Sequence, residues 1–129
     1  MKVTILANEP FPNGMAATNR IINYAKGLTE SGLETEILLY QRSEAHGKTP
    51  INTKGQGAIN GATYRYVGET PFQSNNRLFR RWGNWMDRRR TKSYLKRRLR
   101  QGDVVLGYIG WDVNYINDVI DVVHSRGAK

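Results

Sequence analysis

The chain has no cysteine among its 129 residues. That excludes disulfides, a thiolate metal site and a cysteine nucleophile, and it fits a reducing compartment. No stretch approaches the roughly 20 apolar residues of a membrane span. The opening Met1–Pro10 holds too short an apolar run for a secretory signal. The expectation is a soluble cytoplasmic protein. There are only two histidines. His46 falls in a polar stretch, and His124 lies near a helix C-terminus, where a cation complements the helix dipole. No His/Asp/Glu grouping has metal-ligand spacing, so no metal is expected. Asp118 and Asp121, three residues apart on a helix, read as a solvated face. Walker A is absent, and Asn8-Glu9 is a poor substitute for the paired acids of a phosphoacceptor domain. The segment after the first apolar run carries one glycine, Gly14, where the dinucleotide fingerprint needs three, which argues against a nicotinamide or flavin enzyme. Gly55-Gln56-Gly57 reads as a flexible turn.

Positive charge is present in excess but in one place. The formal net charge is +9. Eleven of the twenty Lys and Arg residues lie in Arg77–Arg100, opposed there only by Asp87, so that segment carries +10 and the remainder −1. Any argument from charge concerns this segment and not the whole chain.

The rest reads as alternating strands and helices. Lys2–Asn8 is an apolar strand, and Glu9–Gly14 a turn-rich loop. A helix follows from Met15 to Ser31, with Ala17, Ile21, Ala25 and Leu28 on one face, Asn13 or Gly14 at its start and Gly32 at its end. Gly27 weakens it unless a strand approaches closely. Leu33–Tyr40 is a second strand and Gln41–Gly61 a long irregular connection. Ala62–Val67 alternates as a third strand. The basic segment is helical, capped by Asn75 or Asn76, with Leu78, Trp82, Trp85, Leu95 and Leu99 on one broad face. It could be one long helix or two with a break. Asp103–Ile109 is a fourth strand, apolar enough to be central. Asp112 caps a last helix that carries Val113, Ile116, Ile120 and Val123 on one face.

This order gives an α/β fold, a Rossmann-like doubly wound parallel sheet. A fifth parallel strand is due near Ala128. The expectation is therefore a sheet truncated before that strand, with residues 1–129 a partial domain of a longer protein. Sites of such sheets lie beyond the carboxyl ends of the strands. Here that rim comprises Asn8–Met15, Gln41–Arg42, Gly68–Thr70 and Gly110–Asp112. Its first helix start favours anions such as phosphate.

Three stretches resemble the N-terminal domain of GT-B glycosyltransferases of the large retaining family 4. They are Lys2–Leu6 running into Pro12-Asn13-Gly14-Met15, then Asn19–Leu39, and Gly102-Asp103-Val104-Val105-Leu106. The first loop has Gly14-Met15 where the family often has a glycine pair, and Leu33 stands where it often has histidine. The resemblance implies the acceptor-side half of an enzyme that moves sugar from a nucleotide-sugar to a glycan or lipid-linked acceptor. It implies no cofactor beyond the nucleotide-sugar co-substrate and no metal. The donor would be held by a C-terminal domain absent from this chain, leaving the fragment itself inactive. Asn13, Gly14 and Met15 would form the donor-diphosphate loop, and Arg20, Gly110, Trp111 and Asp112 the acceptor-side rim.

Two further partners are expected. Arg80, Arg81, Trp82, Trp85, Arg88, Arg89 and Arg90 read as a helix lying on an anionic membrane surface, which would make the protein peripheral at the inner face. The competing reading packs the tryptophans on the sheet and leaves the arginines solvated. The alternative function is a basic α/β nucleic-acid-binding domain using the same segment. An unpaired edge on the fourth strand would invite self-association.

Overall fold

Alternating burial along two apolar strands organises the molecule. The structure, a computed structural model, describes residues 1–110 and 112–129. Strands β1 (Lys2–Ala7) and β2 (Glu34–Leu39) pair in parallel, with Ile5 opposite Ile37. Side chains of a strand alternate between its faces. Ile5, Ala7, Ile37 and Leu39 join helix α1 (Ala16–Glu30) through Ile21 and Ala25. Leu6 and Leu38 face the other way, with helices α2 (Arg77–Arg98) and α3 (Val113–Ser125) through Leu95, Tyr115 and Val119. The result is an α/β fold with helices on both faces of a five-stranded sheet.

The remaining strands are β3 (Gln56–Ile59), β4 (Ala62–Tyr66) and β5 (Val104–Tyr108), in the order β3-β4-β2-β1-β5. Four strands are parallel, and β3 is antiparallel to β4. The sheet is thus mixed and mostly parallel, compatible with a Rossmann-like fold. β3 corrects the expectation of an irregular Gln41–Gly61. Asn60 and Gly61 both take positive φ (49° and 82°), as a tight hairpin turn requires. Gly57 lies under the Tyr64 ring, where a Cβ would come within 2.8 Å of ring atoms.

Three other expectations change. β5 occupies an edge and is only partly covered, although its apolar composition suggested a central place. On its outer side, the Lys129 N–H donates to the Asp103 carbonyl (2.9 Å) and the Lys129 carbonyl accepts from Val105 (2.7 Å). That is the backbone pattern of a parallel neighbour. In α3 the buried face is Tyr115, Val119, Val122 and Val123, so of the expected stripe only Val123 is in the core. Ile116 and Ile120 instead line a groove beside β5. α1 begins one residue after Met15, which caps it through the backbone with no side-chain bond, so neither Asn13 nor Gly14 is the cap.

α2 is one unbroken helix of 22 residues, capped by the Asn76 side chain. Only its later half packs, through Asp87, Thr91, Tyr94 and Leu95. Its first turns leave Leu78, Phe79, Trp82 and Trp85 51–75% exposed. Among the described residues, no helix is long and apolar enough to cross a membrane.

Gly27 lies on the open face of α1, with nothing within 4 Å of a Cβ built there. No close approach requires the glycine. Gly27→Ala is expected to raise unfolding free energy by about 0.5–1 kcal/mol through backbone entropy alone. Urea denaturation with an unchanged m-value would check it.

Candidate functional site at the carboxyl rim of the sheet

Among the parallel strands, β2 and β5 flank β1 on opposite sides. The chain's direction across the sheet reverses there, and ligand sites of open α/β sheets lie above the carboxyl ends of the strands at such a point, here β1 and β5. One side of this rim is the loop 8–15, and the other includes Ile109, Gly110 and Asp112; a Cβ at Gly110 would lie 3.8 Å from Asn8 Nδ2.

The first side is held from beneath. Phe11 is fully buried and meets Tyr64 edge-on, with ring centroids 5.0 Å apart. Its N–H donates to the Tyr66 hydroxyl (3.0 Å), and that hydroxyl donates back to the Phe11 carbonyl (3.1 Å). Ser43 Oγ lies 2.8 Å from the same phenol. Burial raises the Tyr66 pKa, so the phenol stays neutral and keeps its proton for this bond. Next along the loop, the Asn13 N–H donates to Asn52 Oδ1 and the Asn13 carbonyl accepts from Asn52 Nδ2, both at 2.9 Å. Asn52 Nδ2 also donates to the buried Glu44 carboxylate (3.0 Å). The long connection after β2 is therefore a clamp on the first loop. Glu44 accepts from the Ile51 N–H as well, and its backbone pairs with Pro71 and Gln73.

Gly14 is sterically required. The Thr18 hydroxyl donates to the Pro10 carbonyl (2.8 Å) directly behind it. A Cβ at Gly14 would overlap Thr18 Oγ1 and lie 2.8 Å from the Pro10 oxygen. Of the expected diphosphate loop, Asn13 has its backbone N–H committed to Asn52. Met15 is 84% exposed and caps α1 without a side-chain bond. The first N–H groups of α1 have no side-chain cap on them, at the positive end of the helix dipole.

On the second side, Arg20 reaches from α1 to the Tyr108 hydroxyl at the end of β5 (3.2 Å), bridging the rim. Burial raises the pKa of the Tyr40 phenol, with the nearby Gly110 N–H acting in the opposite direction. Asp112 is a structural acid. It accepts from the Tyr115 N–H (3.1 Å) and pairs with Arg88 at 2.6 Å. The Tyr115 N–H and the Arg88 guanidinium hold its carboxyl below the usual range. Burial pushes Tyr115 up to about 12. Trp111 lies outside the described residues.

The basic segment divides. Arg88 is drawn onto Asp112 and over the Tyr115 ring (5.1 Å), and Arg90 pairs with Asp87 (3.1 Å). Arg89 stacks over Trp85 at 4.9 Å. Arg80 and Arg81 lie on the first turns with Trp82. The alternative that packs the tryptophans on the sheet does not hold, because Trp82 and Trp85 are 60% and 51% exposed.

Sequence reasoning missed Tyr66, Asn52 and Glu44. Tyr64 and Tyr66 on alternate positions of one strand signalled an inward aromatic face. Nothing local marks Asn52, whose partners are 8 and 39 residues away. No protein-family model, curated protein or solved structure matches the chain.

Tyr66→Phe removes a phenol that both accepts from and donates to Phe11. The expected cost is about 1–3 kcal/mol, since two buried backbone groups lose their partner. Faster amide exchange at Phe11 and Asn13 than at Ile37 would show that the loop loosens first.

Proposed function

We propose that this chain is the acceptor-side domain of a nucleotide-sugar-dependent glycosyltransferase. The observation that carries the reading is the rim above the carboxyl ends of β1 and β5, where the strand order reverses. There a clamped loop presents Gly14 and the uncapped start of α1 to the space above the sheet. Such an end stabilises negative charge, and a departing nucleoside diphosphate develops charge as the glycosidic bond breaks. The resemblance in Lys2–Met15, Asn19–Leu39 and Gly102–Leu106 points the same way. In this reading a second domain holds the donor and closes on the rim. Gly14 keeps the loop closed over Thr18 and Pro10, which fixes the backbone that would meet the diphosphate. Arg20, tied to Tyr108, lies on the acceptor side, and Asp112 keeps the second side in place through Arg88.

The exposed half of α2 supports a peripheral position on an anionic bilayer. Leu78, Phe79, Trp82 and Trp85 are exposed together, and Arg80, Arg81 and Arg89 flank them. Apolar side chains would enter the headgroup boundary while each nearby arginine contributes about 1 kcal/mol. A lipid-linked acceptor would then be met at the surface where it resides.

The polypeptide of the whole reading frame, given membrane lipids and labelled UDP- or GDP-sugars, should move label into a lipid-extractable or glycan product. Gly14→Ala should abolish that transfer. Absence of transfer from every donor by folded protein would sink the reading. In flotation, Trp82→Ser with Trp85→Ser should lower recovery with phosphatidylserine vesicles at least fivefold. Unchanged recovery, or displacement of the vesicles by single-stranded oligonucleotide, would move the assignment to the nucleic-acid alternative.

A further inference from the structure

A second cavity, of about 410 Å³, lies on the α2 side of the sheet at the end of β4. β2 separates it from the rim of β1 and β5. Four arginines from three parts of the chain line it: Arg42 after β2, Arg65 on β4, and Arg90 and Arg97 on α2.

Two of them are held from behind. Asp87 is fully buried, its Oδ2 3.1 Å from Arg42 Nε and its Oδ1 3.1 Å from Arg90 Nη1. One carboxylate thus orients two guanidinium groups and leaves their other N–H groups for the cavity. Gly68 closes the back, where a Cβ would lie 2.8 Å from Asp87 Oδ1 and 2.9 Å from Arg42 Nε. Arg65 lies 5.7 Å from the Tyr94 ring centre and donates to neutral Gln56 (2.8 Å). Among the described residues, neither Arg65 nor Arg97 has a carboxylate within ion-pair distance. Counting Asp87 and the exposed Glu69 at the mouth against the four arginines leaves an excess of two positive charges.

Gathering four cations in one cavity is unfavourable without a counter-charge, and solvent screening weakens but does not abolish the repulsion. Planar guanidinium forks converging from different directions match an anion with several oxygens on one centre. A solvated face would spread these arginines around the helix. Here Arg90 and Arg97, two turns apart on α2, share one side with a strand arginine and a loop arginine.

We propose that this cavity binds a phosphate-bearing ligand carrying two or more negative charges. Arg65 and Arg97 supply the uncommitted charge, and Asp87 pre-orients Arg42 and Arg90. The proposal does not rest on the glycosyl-transfer reading. The source of the phosphate is either a soluble diphosphate or a lipid headgroup.

The test is calorimetric titration of the chain with inorganic pyrophosphate at physiological salt. Saturable one-to-one binding is expected, weakened at least tenfold by Arg65→Gln with Arg97→Gln. Arg97→Gln alone, on the exposed side of α2, should weaken it at least threefold and guards against misfolding of the double variant. Arg100→Gln with Arg126→Gln removes the same charge outside the cavity and should change the affinity less than twofold. No saturable binding, or equal weakening by the two double variants, would overturn the proposal in favour of diffuse charge. A parallel flotation with phosphatidic acid vesicles separates the sources. A matching loss in the Arg65/Arg97 variant identifies a headgroup, whereas pyrophosphate binding with unchanged flotation identifies a soluble ligand. Both results support the cavity.

Discussion

One buried carboxylate determines where the longest helix packs on the sheet. Asp87 is the lone acid of the basic segment, and it is fully buried. It joins α2 to Arg42, just beyond β2, and to Arg90 one turn along. Thr91 Oγ1 bonds its carbonyl (2.8 Å). A buried charge is tolerated only when paired, so α2 must cross the sheet with Asp87 over Arg42 and Gly68. The rest of α2 follows. C-terminal to Asp87, Tyr94 and Leu95 pack; N-terminal to it, Leu78, Phe79, Trp82 and Trp85 stay exposed. The exposed tryptophans and the four-arginine cavity thus lie at opposite ends of one anchoring contact.

A second polar link serves the rim. Glu44, Asn52 and Tyr66 tie the connection after β2 and the end of β4 to the loop after β1. A loop carrying one glycine cannot hold its shape by local geometry, and here distant side chains hold it. At the other end of the sheet Glu36, buried on β2, pairs with Lys2 (2.7 Å) and hydrogen-bonds Tyr94. Burial and that bond push Tyr94 up to about 12. Among the buried polar groups, Glu36, Asn52 and Asp87 each bridge elements far apart in the chain.

Much of the fold was legible because burial writes itself into periodicity. β1, β2, β4 and α1 lie within a residue or two of where alternation and the three-to-four spacing put them, and Gly32 ends α1 at φ 82°. β3 was missed because it is polar and half-exposed, although Asn60-Gly61 advertised its turn. Apolar composition suggested a central place for β5, and its place at the edge of this sheet agrees with the other expectation, that of an unpaired edge on that strand. The α3 stripe was misjudged because Ile116 and Ile120 are as apolar as the residues that pack, and composition does not say which side meets the sheet. At the site, Gly14 and Asp112 were readable as a loop glycine and a helix cap. The division of the arginines between inward and outward faces depends on how α2 crosses the sheet.

By itself the sequence determined the alternation of strands and helices, the glycine of the first loop and the concentration of charge in one helix. These follow from local rules: side-chain period, capping and backbone sterics act within a few residues. Tertiary structure alone decided which strand lies at the edge, which end of α2 stays exposed, and which arginines converge. Those outcomes rest on contacts between residues such as Arg42 and Asp87, 45 positions apart. Pairs at that range leave no mark in a neighbouring window, because geometry meets the cost of an unpaired buried group only after the chain has folded.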